Sequence, residues 1–252
     1  MIKSKKFKKI KNLKHGFFNS IGGKSKSIYK SLNCGSGSKD LPSNIKKNLE
    51  IVKNKMSKSA SDIFLLNQIH SDKFIFINKK YKHKIKPKAD AVITNQKKLP
   101  IAVLTADCVP ILIYDNKKEI IAAIHAGWKG AYKNIVGKVL KFMIKIGSKP
   151  QNIIASIGPS ISVKNYEVQE DFKKKFMKKN KKNIIYFRNY NNKIYFDLPK
   201  YVYSSLLENK IKKIETIKVD TFNKKNKFFS ARRALSLNHD DYGRNISIIM
   251  LN

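Results

Sequence analysis

Short, unbroken runs of apolar residues dominate the middle of the chain. The segments ADAVITN, IAVLTADC, ILIYD and EIIAAIHAGW follow one another between residues 89 and 128 and are rich in β-branched side chains. Pro110 and an Asp-Asn-Lys-Lys turn at 115–118 interrupt them. Continuous apolar runs of this length predict strands that are covered on both faces.

The flanking segments predict helices and further strands. Apolar residues recur at helical spacing in AYKNIVGKVLKFMIKI, and we predict helices at about 43–57, 131–146, 167–180 and 197–213. We predict extended segments at 152–157, 184–196 and 246–251, two strands around a turn near 70–72, and a loop-rich region at 12–40. Strands alternating with helices predict an α/β fold. No repeat or linker divides the chain, so we predict one domain over 1–252, with a basic N-terminal segment at 1–14.

The composition excludes several classes of protein. An apolar content of 42% in 252 residues is enough for a buried core and argues against disorder. No apolar run reaches the roughly 18 residues of a membrane helix, and no signal peptide is recognisable. Two cysteines, Cys34 and Cys108, do not suggest a disulfide framework. We expect a cytoplasmic protein with no membrane partner, and we favour a monomer although the sequence leaves the oligomeric state open.

The formal net charge of +37 raises the question of a nucleic-acid partner. Clustered basic residues bind phosphates, but the lysines here are spread along the whole chain rather than gathered in one arm or tail. We therefore expect no specific nucleic-acid partner, with an RNA-associated basic protein as the alternative.

Three segments place metal-ligand residue types beside apolar strands: Gln68-Ile69-His70, Asp107-Cys108 and His125-Ala126-Gly127. The turn at 115–118 joins two adjacent strands, which can bring Cys108 and His125 within a few ångströms of each other. Imidazole and thiolate suit Zn²⁺, with Cu²⁺ as an alternative, and three protein ligands leave a position open for water or substrate. From the residues alone, a structural histidine and a small buried cysteine are the competing interpretation.

A longer set of motifs points to one family. The strings NQIHSD, ADAVIT, LPIAVLTADCVPILIYD, HAGWKGA, IGPSIS, NYEV, FFSARR and DYGR occur in this order, after HGFFNSIGG and SLNCG. Together they resemble the bacterial purine nucleoside phosphorylase family once described as multicopper polyphenol oxidases, or laccase-domain proteins. The resemblance covers roughly residues 15–251.

The resemblance implies a layered sandwich of mixed β-sheets flanked by helices. It implies phosphorolysis of adenosine, inosine and methylthioadenosine to the free base and a ribose 1-phosphate, together with an adenosine deaminase activity. A copper-dependent polyphenol oxidase is the alternative activity. The metal ligands carry over as His70, Cys108 and His125. Purine nucleosides and phosphate are the implied partners.

The chain departs from the family pattern at several positions. Val163 and Lys164 stand where cysteines are common, and Thr221 and Phe222 stand near another such place. The missing thiols argue against a site with several coppers, which needs many soft ligands. Ala231 replaces a common aromatic residue.

Arginine is rare, which makes its positions informative. Only four arginines occur, and Arg232, Arg233 and Arg244 fall within thirteen residues. We predict that Arg232 and Arg244, with Ser230, bind phosphate, since a guanidinium fork suits its oxygens. A structural ion pair is the alternative.

The remaining candidates come from single positions. Asp107 lies beside the catalytic ligand Cys108, and Glu167 lies in the NYEV motif. Both are candidate acid/base or histidine-orienting groups, and a purely structural carboxylate is the alternative for each. Asn33 is a candidate nucleoside-binding residue or a turn residue, and Trp128 either stacks on a purine or belongs to the core. We expect His15, His83 and His239 to be exposed.

Overall fold

The structure is a computed structural model that describes residues 1–81 and 86–252. The strands in these ranges are β1 (Leu13–Phe17), β2 (Phe74–Ile77), β3 (Ala91–Thr94), β4 (Ile101–Thr105), β5 (Val109–Asp115), β6 (Ile120–Ala126), β7 (Ile153–Ile157), β8 (Glu167–Val168), β9 (Phe187–Tyr190), β10 (Lys193–Phe196), β11 (Lys213–Thr216) and β12 (Asn245–Leu251). The α-helices are α1 (Lys5–Lys8), α2 (Pro42–Met56), α3 (Trp128–Tyr132), α4 (Ile135–Lys145), α5 (Glu170–Lys179), α6 (Leu198–Glu208) and α7 (Ala231–Ser236).

The strands form three sheets. The largest has the order β11-β7-β5-β6-β3-β2, with β11/β7 and β2/β3 parallel and the other pairs antiparallel. A second, antiparallel sheet has the order β1-β12-β4, and a small third sheet has the order β8-β10-β9. The predicted α/β fold with mixed sheets is confirmed.

The largest sheet is covered on both faces. Ile111 and Ile124 belong to the core cluster that includes Val139 and Leu140 of α4. On the other face, Leu112 packs with residues of the β1-β12-β4 sheet, whose outer face is covered by α2. Every residue of β5 and β6 is therefore buried, which explains why these strands read as continuous apolar runs.

Several predicted elements agree with the structure. The predicted helix at 43–57 is α2, and the predicted strand at 246–251 is β12. The turn at 115–118 joins β5 and β6 in a hairpin in which Asp115 pairs with Ile120. The predicted helix at 131–146 is instead divided between α3 and α4. Asn134 causes the break, because it takes a left-handed conformation and its side chain caps the start of α4 by accepting from the Gly137 amide.

Other boundaries were wrong because pairing between distant segments overrode local preference. The predicted helix at 197–213 ends at Glu208, and the chain then forms β11, which pairs with β7. The predicted helix at 167–180 begins only after β8 has paired with β10, and the extended segment at 184–196 starts within the 3₁₀ helix Lys181–Tyr186. The loop-rich region at 12–40 contains β1, which pairs with β12.

The predicted strand before the turn near 70–72 is also wrong. Within residues 1–81 and 86–252, this stretch makes only the isolated bridges Phe64–Ile101 and Asn67–Lys88. The side chain of Gln68 makes two hydrogen bonds to the backbone of Leu104. It accepts from the Leu104 N–H at 2.7 Å and donates to the Leu104 carbonyl at 2.8 Å. A side chain therefore replaces the strand ladder here.

The expectation that His15 is exposed was wrong. His15 lies in β1 with 4% of its surface exposed, and its Nε2 accepts a 2.9 Å hydrogen bond from the Ser4 amide. Burial, reinforced by the nearby Lys3 ammonium, lowers the pKa of His15 to about 4. His239 is half-buried, and His83 lies outside the described residues.

No helix in the described ranges is long and apolar enough to cross a membrane.

Candidate metal centre and active site

One edge of the largest sheet collects the candidate ligands. Cys108 directly precedes β5, and His125 lies near the end of β6, where it pairs with Pro110. The next strand, β3, begins just after Asp90, and the His125 amide donates to the Asp90 carbonyl at 2.8 Å. His70 lies in the loop before β2, the neighbour of β3. Sheet order thus brings segments from four strands to one place.

His70, Cys108 and His125 form a compact group. One ligand atom from each lies within 4.8 Å of the others. The Cys108 Sγ is 3.8 Å from the His70 Nε2, and the two imidazole rings meet edge to face with centroids 4.8 Å apart. His125 is buried, whereas His70 is exposed. The group therefore has one buried wall and one open side.

Asp90, which the sequence motifs did not single out, anchors two of the three residues. Its fully buried carboxylate accepts 2.8 Å and 3.0 Å hydrogen bonds from the His125 Nδ1 and the His70 amide. It also accepts from the Ser71 amide and hydroxyl at 2.6 Å and 2.7 Å, and from the Ile69 amide at 3.3 Å. A carboxylate on Nδ1 fixes the imidazole so that Nε2 is free to bind a metal. The signal was present in the sequence as the aspartate that immediately precedes the apolar run AVIT.

The charges of this group are strongly coupled. Burial alone would raise the pKa of the Cys108 thiol, but the neighbouring His125 and His70 lower it to about 6. Burial alone would lower the pKa of His125, but Cys108 and Asp90 raise it. Burial opposes ionisation of Asp90, yet hydrogen bonds from His125 and Ser71 bring the pKa of its carboxyl down to about 2. The group therefore favours a thiolate beside an ionised carboxylate.

The local packing fits a metal ion. Two imidazole nitrogens and a thiolate are a ligand set that Zn²⁺ prefers, and the open side leaves room for a fourth ligand. Gly127 makes the convergence sterically feasible, because a Cβ at this position would lie 2.8 Å from His70 Cδ2 and 3.1 Å from Cys108 Sγ. The glycine of the HAGW motif is thus required for close approach of the ligand side chains.

The triad of His70, Cys108 and His125 opens into a cleft with a volume of about 560 Å³. Arg244, Tyr242 and Asn67 contribute to its walls. The Arg244 guanidinium lies over the Tyr242 ring, 4.8 Å from its centroid, and its Nη2 is 3.6 Å from Asp241. Arg244 is therefore the member of the arginine cluster that the structure brings to the triad.

Ser230 and Arg232 are instead tied to Asp107. The buried Asp107 carboxylate accepts hydrogen bonds from the Ser230 hydroxyl at 2.9 Å, the Arg232 amide at 2.7 Å and the Thr221 hydroxyl at 2.7 Å. Burial raises the pKa of Asp107 despite these donors. Asp107 has a left-handed backbone with φ of 86°, directly before Cys108. These contacts hold the strained residue that presents the thiol.

The other candidates also lie outside the cleft lining. The Arg232 guanidinium donates to the Glu167 carbonyl at 3.0 Å and stacks on Tyr166, while the Glu167 carboxylate pairs with Lys193 at 3.0 Å. Arg233 donates to backbone carbonyls of 221, 222 and 228. Trp128 is half-buried and packs edge to face on Phe172, at the margin of the core.

Asn33 is fully buried, so its side chain supports the site from within the protein. Its Oδ1 accepts from the amides of Gly35 and Arg244, each at 2.9 Å. Its Nδ2 donates to Ser38 and Asp40 at 2.8 Å and 2.9 Å. The amide therefore joins the loop after residue 33 to the segment that carries Arg244.

Comparison with known proteins identifies a family that covers nearly the whole chain. The family model described as multi-copper polyphenol oxidoreductase laccase matches residues 14–252. The chain belongs to this family. The resemblance found in the sequence motifs is thereby confirmed.

Relatives in the family carry the name purine nucleoside phosphorylase. One, from Rickettsia conorii, is 38% identical over 203 residues, which are 78% of this chain and 82% of the relative. Another, from Bacteroides thetaiotaomicron, is 34% identical over 66% of this chain and 65% of its own length. A solved structure of a Neisseria meningitidis protein matches with a TM-score of 0.84 and 29% identity, covering 96% of this chain and 95% of that one. The hypothetical protein YfiH of Bacillus licheniformis gives a TM-score of 0.87 at 25% identity, over 95% and 93% of the two chains.

Proposed function

We propose that this chain is a metal-dependent purine nucleoside phosphorylase. Its substrates would be adenosine, inosine and methylthioadenosine, which it cleaves with phosphate to the free base and the ribose 1-phosphate. The observation that carries the proposal is that the His70, Cys108 and His125 triad and the Arg244 guanidinium share one cleft. The names of the relatives support the same activity. We propose no specific nucleic-acid partner and favour a monomer.

In phosphorolysis, a phosphate oxygen forms a bond to the anomeric carbon while the bond from that carbon to the purine breaks. The purine leaves with the bonding electrons and takes up a proton. The sugar becomes electron-poor in the transition state, so the enzyme must hold an anion close to it. The Arg244 guanidinium is suited to this because it can bind two phosphate oxygens at once.

Zn²⁺ held by His70, Cys108 and His125 would supply a Lewis acid in the cleft, with Cu²⁺ as the alternative ion. Asp90 keeps His125 in one tautomer and holds the His70 loop by its backbone amides. Asp107 holds the backbone that presents Cys108 and also the start of α7. We therefore assign Asp90 and Asp107 to positioning.

The roles of Glu167, Ser230, Arg232 and Asn33 follow from their contacts. Arg232 and Ser230 fasten α7 to Glu167 and Asp107, and in this proposal they support the site while Arg244, which lines the cleft, binds the phosphate. Asn33 orients Arg244 through its backbone amide. A direct acid/base role for Glu167 would require its side chain to leave Lys193.

A copper-dependent polyphenol oxidase is the alternative function. The described residues contain one group of three or more histidine, cysteine or carboxylate side chains that could hold a metal ion, formed by His70, Cys108 and His125. Enzymes with several coppers need several such groups, so this finding favours one metal ion. A deaminase side activity would use the same triad.

The test is incubation of the purified protein with adenosine, inosine or methylthioadenosine, with and without phosphate, followed by identification of base and sugar products. Phosphate-dependent release of base with equimolar sugar 1-phosphate supports the proposal. Inosine formed from adenosine without phosphate would indicate deamination, and oxygen uptake with a phenol would indicate the oxidase.

Cys108→Ala and His125→Ala should lose stoichiometric metal and activity, whereas His239→Ala, outside the cleft lining, should keep both. Retention of metal by both triad variants would refute the ligand assignment.

A further inference from the structure

The cleft that contains the triad is electropositive at its exposed side. Two cationic side chains, those of Lys86 and Arg244, contribute to its lining, and no aspartate or glutamate does so among the described residues. Lys86 is exposed, and Arg244 retains 23% of its side-chain exposure. The nearest carboxylate to Arg244, on Asp241, also accepts a hydrogen bond from Tyr29 at 2.7 Å, so it is shared.

Both cations contact one tight turn. The turn runs from residue 35 to residue 38 and is closed by a 3.0 Å hydrogen bond from the Ser38 amide to the Gly35 carbonyl. The Lys86 Nζ lies 3.4 Å from the Ser36 hydroxyl. The Arg244 side chain packs so closely on Gly35 that a Cβ there would lie 2.4 Å from the Arg244 Cδ. The Lys86 ammonium and the methylene chain of Arg244 therefore reach the same turn from two different parts of the chain, and the Arg244 guanidinium lies beyond it, where it donates to the Tyr242 carbonyl at 3.0 Å.

The turn is fixed before any ligand binds. Asn33 joins it to the Arg244 backbone by accepting from the amides of Gly35 and Arg244, each at 2.9 Å. The Ser38 hydroxyl donates to the Gly35 carbonyl at 2.7 Å. Such preorganisation lowers the cost of binding, because less conformational freedom remains to be lost.

The groups at this turn are mainly hydrogen-bond donors. The exposed residues Ser36 and Gly37 have backbone amides for which the described part of the chain provides no acceptor. These amides, the Ser36 hydroxyl, the Lys86 ammonium and the Arg244 guanidinium all suit a ligand that is anionic and rich in acceptor oxygens. A phosphoryl group has this chemistry.

We infer that Ser36, Gly37, Lys86 and Arg244 form a phosphoryl-binding subsite of the cleft, with Lys86 as the second cation beside Arg244. This inference rests on the proposed function in assigning the subsite to the phosphate used in phosphorolysis. The same chemistry would accept the phosphate ester of a nucleoside 5′-monophosphate, so the experiment separates the two sources.

The test compares Lys86→Gln with Lys88→Gln. The second variant removes the same charge two residues away, from an exposed lysine that does not line the cleft. Orthophosphate and a nucleoside 5′-monophosphate are titrated separately into each protein by calorimetry, and KM for phosphate and for nucleoside is measured for phosphorolysis. We expect Lys86→Gln to weaken phosphoryl binding about tenfold, with the nucleoside KM changed less than about twofold, and Lys88→Gln to leave both unchanged.

The outcomes separate the subsite from the proposed reaction. Orthophosphate binding that depends on Lys86, in a protein that cleaves no nucleoside, retains the subsite and overturns the phosphorylase proposal. Selective weakening of the 5′-monophosphate in Lys86→Gln supports the subsite and assigns it to a nucleotide ester. Equal effects of the two lysine substitutions, or none from Lys86→Gln, would overturn the subsite while leaving phosphorolysis to be judged from its products.

Discussion

Replacing Asp90 by asparagine tests how the metal centre is held. Asn keeps the shape of the side chain but replaces one acceptor oxygen by an NH₂ donor. Oδ1 accepts from the His70 amide and His125 Nδ1, and Oδ2 accepts from the Ile69 and Ser71 amides and the Ser71 hydroxyl. If the NH₂ group replaces Oδ1 it faces the His70 amide, and if it replaces Oδ2 it faces the Ile69 and Ser71 amides, so one or two backbone donors lose their acceptor.

The expected magnitudes follow from these contacts. Leaving one or two donors without an acceptor should lower the free energy of unfolding of the metal-free protein by about 1–6 kcal/mol, at roughly 1–3 kcal/mol per group. If the amide nitrogen faces His125, it would donate to Nδ1 and favour the tautomer with a proton on Nε2, the nitrogen needed for a metal. Loss of such an orienting carboxylate typically weakens metal binding about 10–100-fold.

The assay is competition for Zn²⁺ with a chromophoric chelator, together with urea unfolding of the metal-free protein. Asp72→Asn is a matched control, because Asp72 pairs with Lys138 and does not contact the triad. Ser71→Ala is a second control, since it removes one donor to Asp90 and should reduce stability with little change in zinc affinity. If Asp90→Asn folds and binds zinc as tightly as the parent, Asp90 does not position the metal ligands.

Three further predictions test other parts of the structure. Gly127→Ala should reduce zinc affinity at least about 100-fold, because the added Cβ would displace His70 and Cys108 by more than the ~0.2 Å that metal–ligand distances tolerate, and a chelator titration with unchanged affinity would contradict this. Arg244→Lys should lower kcat/KM for phosphate by the equivalent of about 1–3 kcal/mol, while any phosphate-independent deamination in the same preparation is spared. Equal losses of both activities would mean that Arg244 supports the fold. His15→Gln should flatten the pH dependence of stability: the pKa of His15 is about 4 folded and 6.5 unfolded, so the parent loses stability as the pH falls from 6.5 to 4, by at most about 3 kcal/mol. Urea midpoints across this pH range would show the same slope in both proteins if His15 were not responsible.

The sequence by itself determined the features that depend on local pattern and residue chemistry. The apolar runs specified the two-sided burial of β5 and β6, and the turn between them placed Cys108 close to His125. Imidazole and thiolate at strand ends indicated a metal site, and the ordered motifs indicated the family. These features can be predicted from the sequence because each is encoded within a short segment.

Tertiary structure decided which distant residues share the site. Sheet order placed Asp90 beside His125, because β3 and β6 are neighbours although Asp90 and His125 are 35 positions apart in the sequence. Ser230 and Arg232 are bound to Asp107 and Glu167 and lie outside the cleft lining. Arg244 and Lys86 line the cleft. A charge pattern along a chain does not distinguish a guanidinium used for packing from one facing a ligand. That choice depends on which buried acceptors the fold brings within hydrogen-bonding distance, and only the folded arrangement of the strands and loops fixes it.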